Sequence, residues 1–330
     1  MHRSLRTLIA LLIAVGLLAG LLSACAAPAA PTVQPSVTPA QAMPEVAPAG
    51  SFPMTGTDDL GREFSLDAPA QRVVSLAPNL TEILFAIGAG DQVVGVTTFC
   101  NHPPEAATRT QVGGFTSDTI AIEQVVALEP DLVLSTGGFQ LETIEALDAL
   151  GIPVLALDPN TLEGVVGAIG AIGWATGHGD EAIALVEQMT ARIDAVKAAV
   201  ADIPADERLT VYWQIWDEPL MAAGPRSFPG ELITLAGGVN IFEDTDDFYP
   251  TVAAEEVVTR NPQVIMGPDM AGPALTIETL QQRPGWGALD AVQHGRIHVI
   301  ADDTVSRAGP RLVDALEAIA TALYPERFGE

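Results

Sequence analysis

The sequence predicts an α/β protein made of two Rossmann-like lobes, joined by one long rigid α-helix, with a ligand cleft between the lobes. Three observations predict this fold class. Short apolar runs alternate with helical patterns in both halves of the chain, as in parallel sheets covered by helices. A long amphipathic segment separates the halves. The stretch IEQVVALEPDLVL, residues 122–134, returns 132 positions later as AEEVVTRNPQVIM, residues 254–266.

The elements of the first half follow in order. TGTDDLGREFSL, residues 55–66, predicts a small hairpin that turns near residues 59–61. RVVSLAP, residues 72–78, predicts a strand, and TEILFAIGAG, residues 81–90, predicts a helix that ends in glycine. The remaining predicted strands are DQVVGVTT, DLVLS and IPVLALD, and the remaining predicted helices are IEQVVALEP and LETIEALDALG.

One long amphipathic helix is predicted from Asp180 to Ile203, and Pro204 ends it. At 1.5 Å per residue the segment spans about 35 Å, which suits a rigid connection. The alternative is an ordinary surface helix of one larger domain. Its apolar residues recur at spacings of three and four and predict a single stripe. The stripe consists of Ile183, Val186, Met189, Ile193, Val196 and Val200.

The second half repeats the pattern of the first. LTVYWQIW, residues 209–216, corresponds to the strand RVVSLAP, and GELITLAGG, residues 230–238, copies TEILFAIGAG with its acid and its terminal glycine. Two related lobes are therefore expected, and ligands usually bind in the cleft between such lobes. We expect an N-terminal lobe at 54–178, the connecting helix at 179–204 and a C-terminal lobe at 205–330.

Composition restricts the class of partner. The chain has 15 Lys and Arg against 42 Asp and Glu, and a formal charge of -27. Nucleic-acid binding needs clustered Lys and Arg, so the charge argues against it and against nonspecific binding to anionic membranes. An acidic surface suits solubility, a cationic partner or a salty habitat, and the charge alone does not choose among these.

The first 25 residues predict a lipoprotein signal peptide. A short basic head, MHRSLR, precedes a 15-residue apolar run from Leu8 to Leu22, and the last residues of the segment, LSAC, resemble a bacterial lipobox. Cys25 would then carry the lipid and become the mature N-terminus, outside the cytoplasm. The alternative is an uncleaved anchor helix. Residues 26–53, rich in Pro and Ala, predict a disordered tether.

Glu123 and Glu255 occupy the same place in the two copies of the repeat, near the start of a short helix. One explanation is local, since a carboxylate there interacts favourably with the helix dipole. The pair favours a second explanation. Two lobes related by a pseudo-twofold axis would present two matched negative points, and a symmetric dimer with one arginine per subunit would fit them.

The body from about Arg72 to Pro325 resembles the bacterial substrate-binding proteins that serve ABC importers of cobalamin and ferric siderophores. The resemblance rests on several ordered motifs. They are VVSLAPNLTEILFAIGAGDQVVGVTTFCNHPPEA, VGGF, IEQVVALEPDLVL, AGPRSFPGELITLAGGVNIF, SRAGPRLVDALEAIA and the lipobox. It implies a monomer that docks on a permease dimer, whose own ATPase subunits hydrolyse ATP. It also implies that Glu123 and Glu255 contact arginines of that permease.

Within the family the opening motif is most similar to the cobalamin-binding branch, in which aromatic residues of the cleft hold the corrin ring. The matched motifs place Phe99, Phe115 and Tyr249 at such positions, with Trp216 and Phe248 as neighbours. Aromatic rings suit a broad, flat, amphipathic ligand. Heme, a siderophore and another corrinoid stay open as ligands. The other interpretation of Phe115 and Trp216 is that they cap the cores of their lobes.

Other chemistries find less support in the sequence. Cys100 and His102 lie two apart without a partner pair at metal-site spacing, so neither a metal site nor a bound cofactor is predicted. Arg226 and Arg307 stay open as contacts to an anionic ligand, and Arg311 is expected to support its helix. No hydrolase, zincin, P-loop or dinucleotide motif is present, so no catalytic residue is predicted. A lipoprotein hydrolase, a zinc or manganese receptor and a structural lipoprotein are the competing classes.

Overall fold

The computed structural model describes residues 52–270 and 275–329. The predicted signal peptide with Cys25, and the predicted tether up to residue 51, lie outside the described residues. Among the residues that are described, none of the helices combines the length and the apolar character needed to cross a membrane.

The first half forms a hairpin and a parallel sheet. The antiparallel hairpin is β1 (Met54–Thr57) and β2 (Glu63–Leu66), as predicted. A five-stranded sheet in the order β5-β4-β3-β6-β7 follows, and its strands pair in parallel. These strands are β3 (Val73–Ser75), β4 (Val93–Val96), β5 (Thr110–Gln111), β6 (Leu132–Ser135) and β7 (Val154–Ala156).

The second half forms a separate five-stranded sheet. Its order is β10-β8-β11-β12, with parallel pairing, and β9 pairs antiparallel with β8. The strands are β8 (Thr210–Trp216), β9 (Met221–Ala222), β10 (Val239–Asn240), β11 (Val264–Pro268) and β12 (Ile297–Ile300). All residues of β3, β6, β7 and β11 are buried, which explains why these strands are continuous apolar runs without polar alternation.

Helices cover both sheets. Those of the first half are α1 (Pro78–Ala86), α2 (Ile122–Ala127), α3 (Leu141–Ala149) and α4 (Leu162–Thr176). The connecting helix is α5 (Gly179–Val200). Those of the second half are α6 (Phe228–Leu235), α7 (Ala254–Arg260), α8 (Ile277–Gln281), α9 (Asp290–Gln293), α10 (Asp302–Val305), α11 (Leu312–Leu323) and α12 (Pro325–Phe328). The predicted architecture of two α/β lobes and one long helix is confirmed.

The connecting helix packs against helices of both lobes. One hydrophobic cluster contains Met189 and Val196 of α5 together with core residues of both sheets. The guanidinium of Arg192 also binds Glu317 and Asp314 of α11, at N–O distances of 2.6–2.8 Å. The helix is therefore supported along its length by both lobes, which restricts their relative motion.

For one residue of the predicted apolar stripe, the prediction of burial is wrong. Ile183 is 46% exposed, and the buried residue at that level of α5 is Ala182, which is 2% exposed. Ala182 packs against Gly173 of α4, and a Cβ added to Gly173 would overlap the Cβ of Ala182. The two helices approach closely here, so only small residues fit at the contact and the isoleucine faces solvent.

The duplication is visible in the backbone. Glu129 and Asn261 have φ values of 46° and 42°, and they are the non-glycine residues of the described ranges with positive φ. They lie 132 positions apart, within two residues of the ends of the helices of the repeated stretch, and a proline follows each. Gly88 and Gly237, which follow α1 and α6, likewise share φ values of 82° and 81°. The sequence repeat is therefore also a repeat of conformation.

Replacing Gly173 with alanine should destabilise the protein by about 1–3 kcal/mol, because the added methyl group overpacks the contact between α4 and α5. Gly167, on the same helix, has no atom within 4 Å of an added Cβ and serves as the matched control. Alanine at Gly167 should stabilise the protein by about 0.5–1 kcal/mol through helix propensity. Denaturant unfolding of both variants measures the difference, and equal stabilities would contradict the tight contact.

Candidate functional site

The two sheets face each other across the loops that follow their strands. Arg307, which follows β12, donates a hydrogen bond to Asn101, which follows β4, at 2.7 Å. At another point, Asn160, which follows β7, lines a cavity together with Phe248 and Tyr249, which follow β10. Contacts therefore join the carboxyl edges of the two sheets. In open α/β sheets this edge is where ligands bind, so the candidate site is the cleft between these loops.

The N-terminal lobe contributes three phenylalanines to this edge. Phe99, in the loop after β4, is 54% exposed. Phe115, after β5, is partly buried and packs against the core, as the alternative interpretation expected. Its ring lies 6.0 Å from that of Phe139, which follows β6 and is 71% exposed. Sequence analysis missed Phe139, although it stands in the same GGF pattern as Phe115.

The C-terminal lobe contributes rings at its own carboxyl edge. Trp216, the last residue of β8, is 47% exposed, and its indole Nε1 donates to the carbonyl oxygen of Glu218 at 3.1 Å. Tyr249 is 43% exposed, and its ring lies 6.5 Å from that of Phe248. Burial raises the pKa of the Tyr249 phenol, so the group stays neutral. Both lobes therefore present exposed aromatic rings at the edges that meet.

A small cavity of about 150 Å³ marks one corner of this cleft. It is lined by Asn160, Ser227, Phe228, Phe248 and Tyr249. This volume is well below the roughly 300–1,000 Å³ of a complete ligand pocket, so the cavity holds at most part of a large ligand. The guanidinium of Arg226 stacks over the ring of Phe248 at 4.6 Å and forms no ion pair with a described residue.

Carboxylates outnumber free cations in the loops at the carboxyl edges. Nine acidic side chains in the segments that follow the strands form no ion pair with another described residue, and Arg226 is the one guanidinium there that is equally unpaired. The nine are Glu105, Asp118, Asp158, Glu218, Glu243, Asp246, Asp247, Asp269 and Asp302. A cleft lined in this way repels a polyanionic ligand and favours a neutral or cationic one.

A buried ion-pair cluster joins the lobes beside Phe99. The side chain of Glu82 in α1 is 2% exposed, and its carboxylate accepts hydrogen bonds from Arg307 at 2.9 Å and from Arg311 at 2.7 and 2.8 Å. Arg311 stands directly before α11, but its side chain makes no capping hydrogen bond to that helix and binds Glu82 instead of supporting the helix as expected. The guanidinium of Arg307 therefore pairs with a carboxylate that lies 225 positions earlier in the chain.

Cys100 and His102 do not form a metal site with other described residues. Cys100 is 2% exposed, and its sulfur contacts the hydroxyl groups of Thr81 at 3.1 Å and Thr97 at 3.2 Å. Within residues 52–270 and 275–329, no group of three or more His, Cys, Asp or Glu side chains is arranged to hold a metal ion. The cysteine is thus a packed residue of the N-terminal lobe.

Glu123 and Glu255 are the second residues of α2 and α7. Both side chains are exposed, and neither forms a hydrogen bond or ion pair with another described residue. A helix that follows a strand in an α/β lobe begins at the carboxyl edge of the sheet, so each acid belongs to the edge that carries the aromatic rings. Glu142 and Glu278 hold the same second position in α3 and α8, which makes a second exposed pair with one acid per lobe.

Comparison with known families and sequences agrees with this architecture. Residues 73–304 match the family described as "Periplasmic binding protein". The chain is 31% identical over 284 residues to the uncharacterized ABC transporter substrate-binding lipoprotein YvrC of Bacillus subtilis, covering 84% of this chain and 88% of the relative. It is 30% identical over 257 residues to the vitamin B12-binding protein of Vibrio cholerae, covering 77% and 90%. It is 32% identical over 281 residues to the cobalamin-binding protein of Halobacterium salinarum, covering 84% and 75%.

Solved structures with this fold bind different ligands. The periplasmic vitamin B12 binding protein BtuF of Vibrio cholerae superposes with a TM-score of 0.66 at 28% identity, over 79% of this chain and 99% of that one. The periplasmic heme-binding protein RhuT of Roseiflexus superposes with a TM-score of 0.68 at 26% identity, over 78% and 99%. The fold therefore accommodates corrin and porphyrin ligands alike.

Proposed function

Because this chain belongs to the periplasmic binding protein family, we propose that it is the substrate-binding subunit of an ABC importer and that its ligand is cobalamin or a related corrinoid. In this proposal the protein is a monomer outside the cytoplasm, anchored to the membrane through a lipid on Cys25. It binds the corrinoid between its lobes and delivers it to a permease dimer. It carries out no catalysis itself, because ATP hydrolysis belongs to the ATPase subunits of the importer.

The observation that carries this proposal is the set of exposed rings on both sides of the cleft. Phe99 and Phe139 come from one lobe, and Trp216 and Tyr249 come from the other. Rings that remain about half exposed or more offer apolar area to a ligand at little cost in side-chain entropy. A corrin is a broad, flat macrocycle, so rings from two lobes would cover its apolar surfaces. The named relatives of Vibrio cholerae and Halobacterium salinarum support the same choice.

The charge of the cleft favours a corrinoid over the alternative ligands of this fold, heme and a ferric siderophore. Heme carries two carboxylates, and many ferric siderophores are anionic, whereas the amide-bearing side chains of cobalamin leave it near neutral. The unpaired carboxylates of the edge loops, such as Asp246 and Asp247, would repel the anionic ligands. Arg226 is the cation in this part of the described chain that would attract them.

Calorimetric titration of the purified protein tests the proposal. Cyanocobalamin should bind with a Kd of about 1 μM or tighter, near -8 kcal/mol, and hemin and a ferric hydroxamate should bind at least about tenfold more weakly. Increasing salt should strengthen whatever binding hemin shows, because salt screens its repulsion from the acidic loops. Tight binding of hemin that weakens with salt, without binding of cyanocobalamin, would replace the corrinoid by heme as the ligand.

A further inference from the structure

We propose that Arg307 and Glu82 are positioning residues, which fix the Phe99 loop of the N-terminal lobe to the C-terminal lobe and so set where the Phe99 ring meets the ligand. The inference rests on the proposed function, because it assigns the ring a place in corrinoid binding. The observation behind it is the ion-pair cluster of Glu82, Asp303, Arg307 and Arg311, which connects the two lobes.

The contacts of Arg307 converge on the loop that carries Phe99. Nη1 donates to Oδ1 of Asn101 at 2.7 Å and to Oε1 of Glu82 at 2.9 Å. Nη2 approaches the carbonyl oxygen of Phe99 itself at 3.5 Å and pairs with Asp303 at 2.6 Å. One guanidinium from the C-terminal lobe therefore contacts both the ring-bearing residue and the residue two positions after it.

A second bond holds the same loop. Nδ2 of Asn101 donates to Oδ2 of Asp303 at 3.2 Å, so both polar atoms of the Asn101 amide are bound by the opposite lobe. Phe99, in contrast, is 54% exposed and has little packing of its own to fix its position. Packing of the neighbouring Cys100, which is 2% exposed, fixes the loop to its own lobe, and the polar contacts of the cluster fix it to the C-terminal lobe.

The cluster is neutral, and its centre is largely dehydrated, whereas the side chain of Asp303 at its rim is 44% exposed. Two carboxylates, Glu82 and Asp303, face two guanidinium groups, Arg307 and Arg311. The Glu82 side chain is 2% exposed and that of Arg307 is 14% exposed. A buried pair adds little net stability over an apolar contact, but each charge then requires its partner, so the arrangement tolerates few alternatives.

The duplicated lobe supplies a natural control at Glu231. Glu231 holds in α6 the position that Glu82 holds in α1, 149 residues earlier. It also reaches the other lobe, since its Oε2 accepts a hydrogen bond from the backbone N–H of Leu162 at 3.1 Å. It forms no ion pair with a described residue, and Leu162 belongs to no loop that carries an exposed ring. Glu82 and Glu231 are thus equivalent in the fold but differ in what they position.

The test compares Glu82→Gln with Glu231→Gln by titration with cyanocobalamin. Glu82→Gln should weaken binding by about tenfold, because it removes the charge that anchors Arg307. Glu231→Gln should change the affinity by less than about twofold, since an amide oxygen still accepts the Leu162 bond. Equal affinities of the two variants would overturn the proposal. Thermal unfolding of each variant confirms that it is folded.

Asn101→Ala tests the same positioning without leaving a buried charge, in case Glu82→Gln does not fold. It should weaken binding by about threefold to tenfold in the wild-type background. In a Phe99→Ala background the same change should have almost no effect, because the ring it positions is gone. Losses that add in the double variant would indicate a purely structural role and contradict the proposal.

Hydrogen exchange of the ligand-free protein separates this inference from the proposed function. Backbone amides of residues 98–102 should exchange several-fold faster in Asn101→Ala than in wild type, and at the wild-type rate in Glu231→Gln. If the wild type binds no corrinoid, the proposed function fails while this measurement still decides whether the cluster holds the loop. Unchanged exchange in Asn101→Ala would overturn the positioning role.

Discussion

Reversing the charge at both Glu123 and Glu255, as Glu123→Arg with Glu255→Arg, should lower corrinoid uptake by the assembled importer by roughly a hundredfold or more. If the two glutamates contact permease arginines, as the family resemblance implies, two attractive contacts become two repulsive ones, and like charges brought together at an interface cost several kcal/mol. Transport of labelled cyanocobalamin into proteoliposomes that contain the permease and its ATPase subunits measures the effect.

Ligand affinity should stay within about twofold of wild type in this double variant, because neither side chain is among the rings or the cavity residues proposed to bind the ligand. The side chains of both glutamates are exposed, bind no other described residue and are absent from the lining of the cavity. Loss of uptake with retained affinity therefore identifies docking as the step that fails. If titration shows that affinity falls together with uptake, the two glutamates do not act in docking alone.

The second pair of acids supplies a matched control. Glu142→Arg with Glu278→Arg makes the same change in net charge, at the same second position of a helix and with one site per lobe. Both pairs therefore lose a carboxylate from the first turn of a helix, and Glu278 in addition loses its interaction with Thr276. Uptake should be nearly normal in the control variant. Equal loss in both variants would indicate a general effect of charge, and loss in the control alone would move the docking site to Glu142 and Glu278.

Most of the fold could be predicted from the sequence, because its strands and helices follow from local patterns that occur in both halves of the chain. Buried parallel strands are continuous apolar runs, and the helices between them show their own period, so their order follows from the chain itself. The repeat then predicted two sheets where a single larger one was also possible, and the matching left-handed residues Glu129 and Asn261 agree with that prediction. The docking role of Glu123 and Glu255 stays a prediction.

Features that depend on contacts between residues far apart in the chain could not be predicted from the sequence. The sequence left Arg307 open as a ligand contact because nothing local reveals that Glu82, 225 residues earlier, neutralises it. Ile183 matched the helical period of apolar residues and was therefore predicted to be buried. The close approach of α4 and α5 depends on the small residue Gly173, which a hydrophobic pattern does not reveal. Phe139 could have been predicted from its Gly-Gly-Phe pattern, which it shares with Phe115, but the motifs of the family resemblance include only Phe115.

Removing one ring from each lobe, in the variant Phe99→Ala with Trp216→Ala, should weaken cyanocobalamin binding by about a thousandfold or more. A fully covered ring buries about 150–250 Å². Phe99 and Trp216 are 54% and 47% exposed, so roughly half of each ring is available to the ligand. At about 25 cal/mol per Å², each contact contributes about 2–3 kcal/mol, which corresponds to a loss of about 30- to 150-fold per ring.

Folding stability should change little in this variant, because both side chains are too exposed to contribute much to either core. Leu150→Ala with Ile183→Ala is the control for loss of exposed apolar area. These residues are 58% and 46% exposed, but they lie at the end of α3 and on α5, away from the carboxyl edges of the sheets. Cyanocobalamin affinity in the control should remain within about twofold of wild type. An affinity loss shared by both variants would mean that the rings act through the fold, whereas a loss confined to Phe99 and Trp216 assigns them to the ligand.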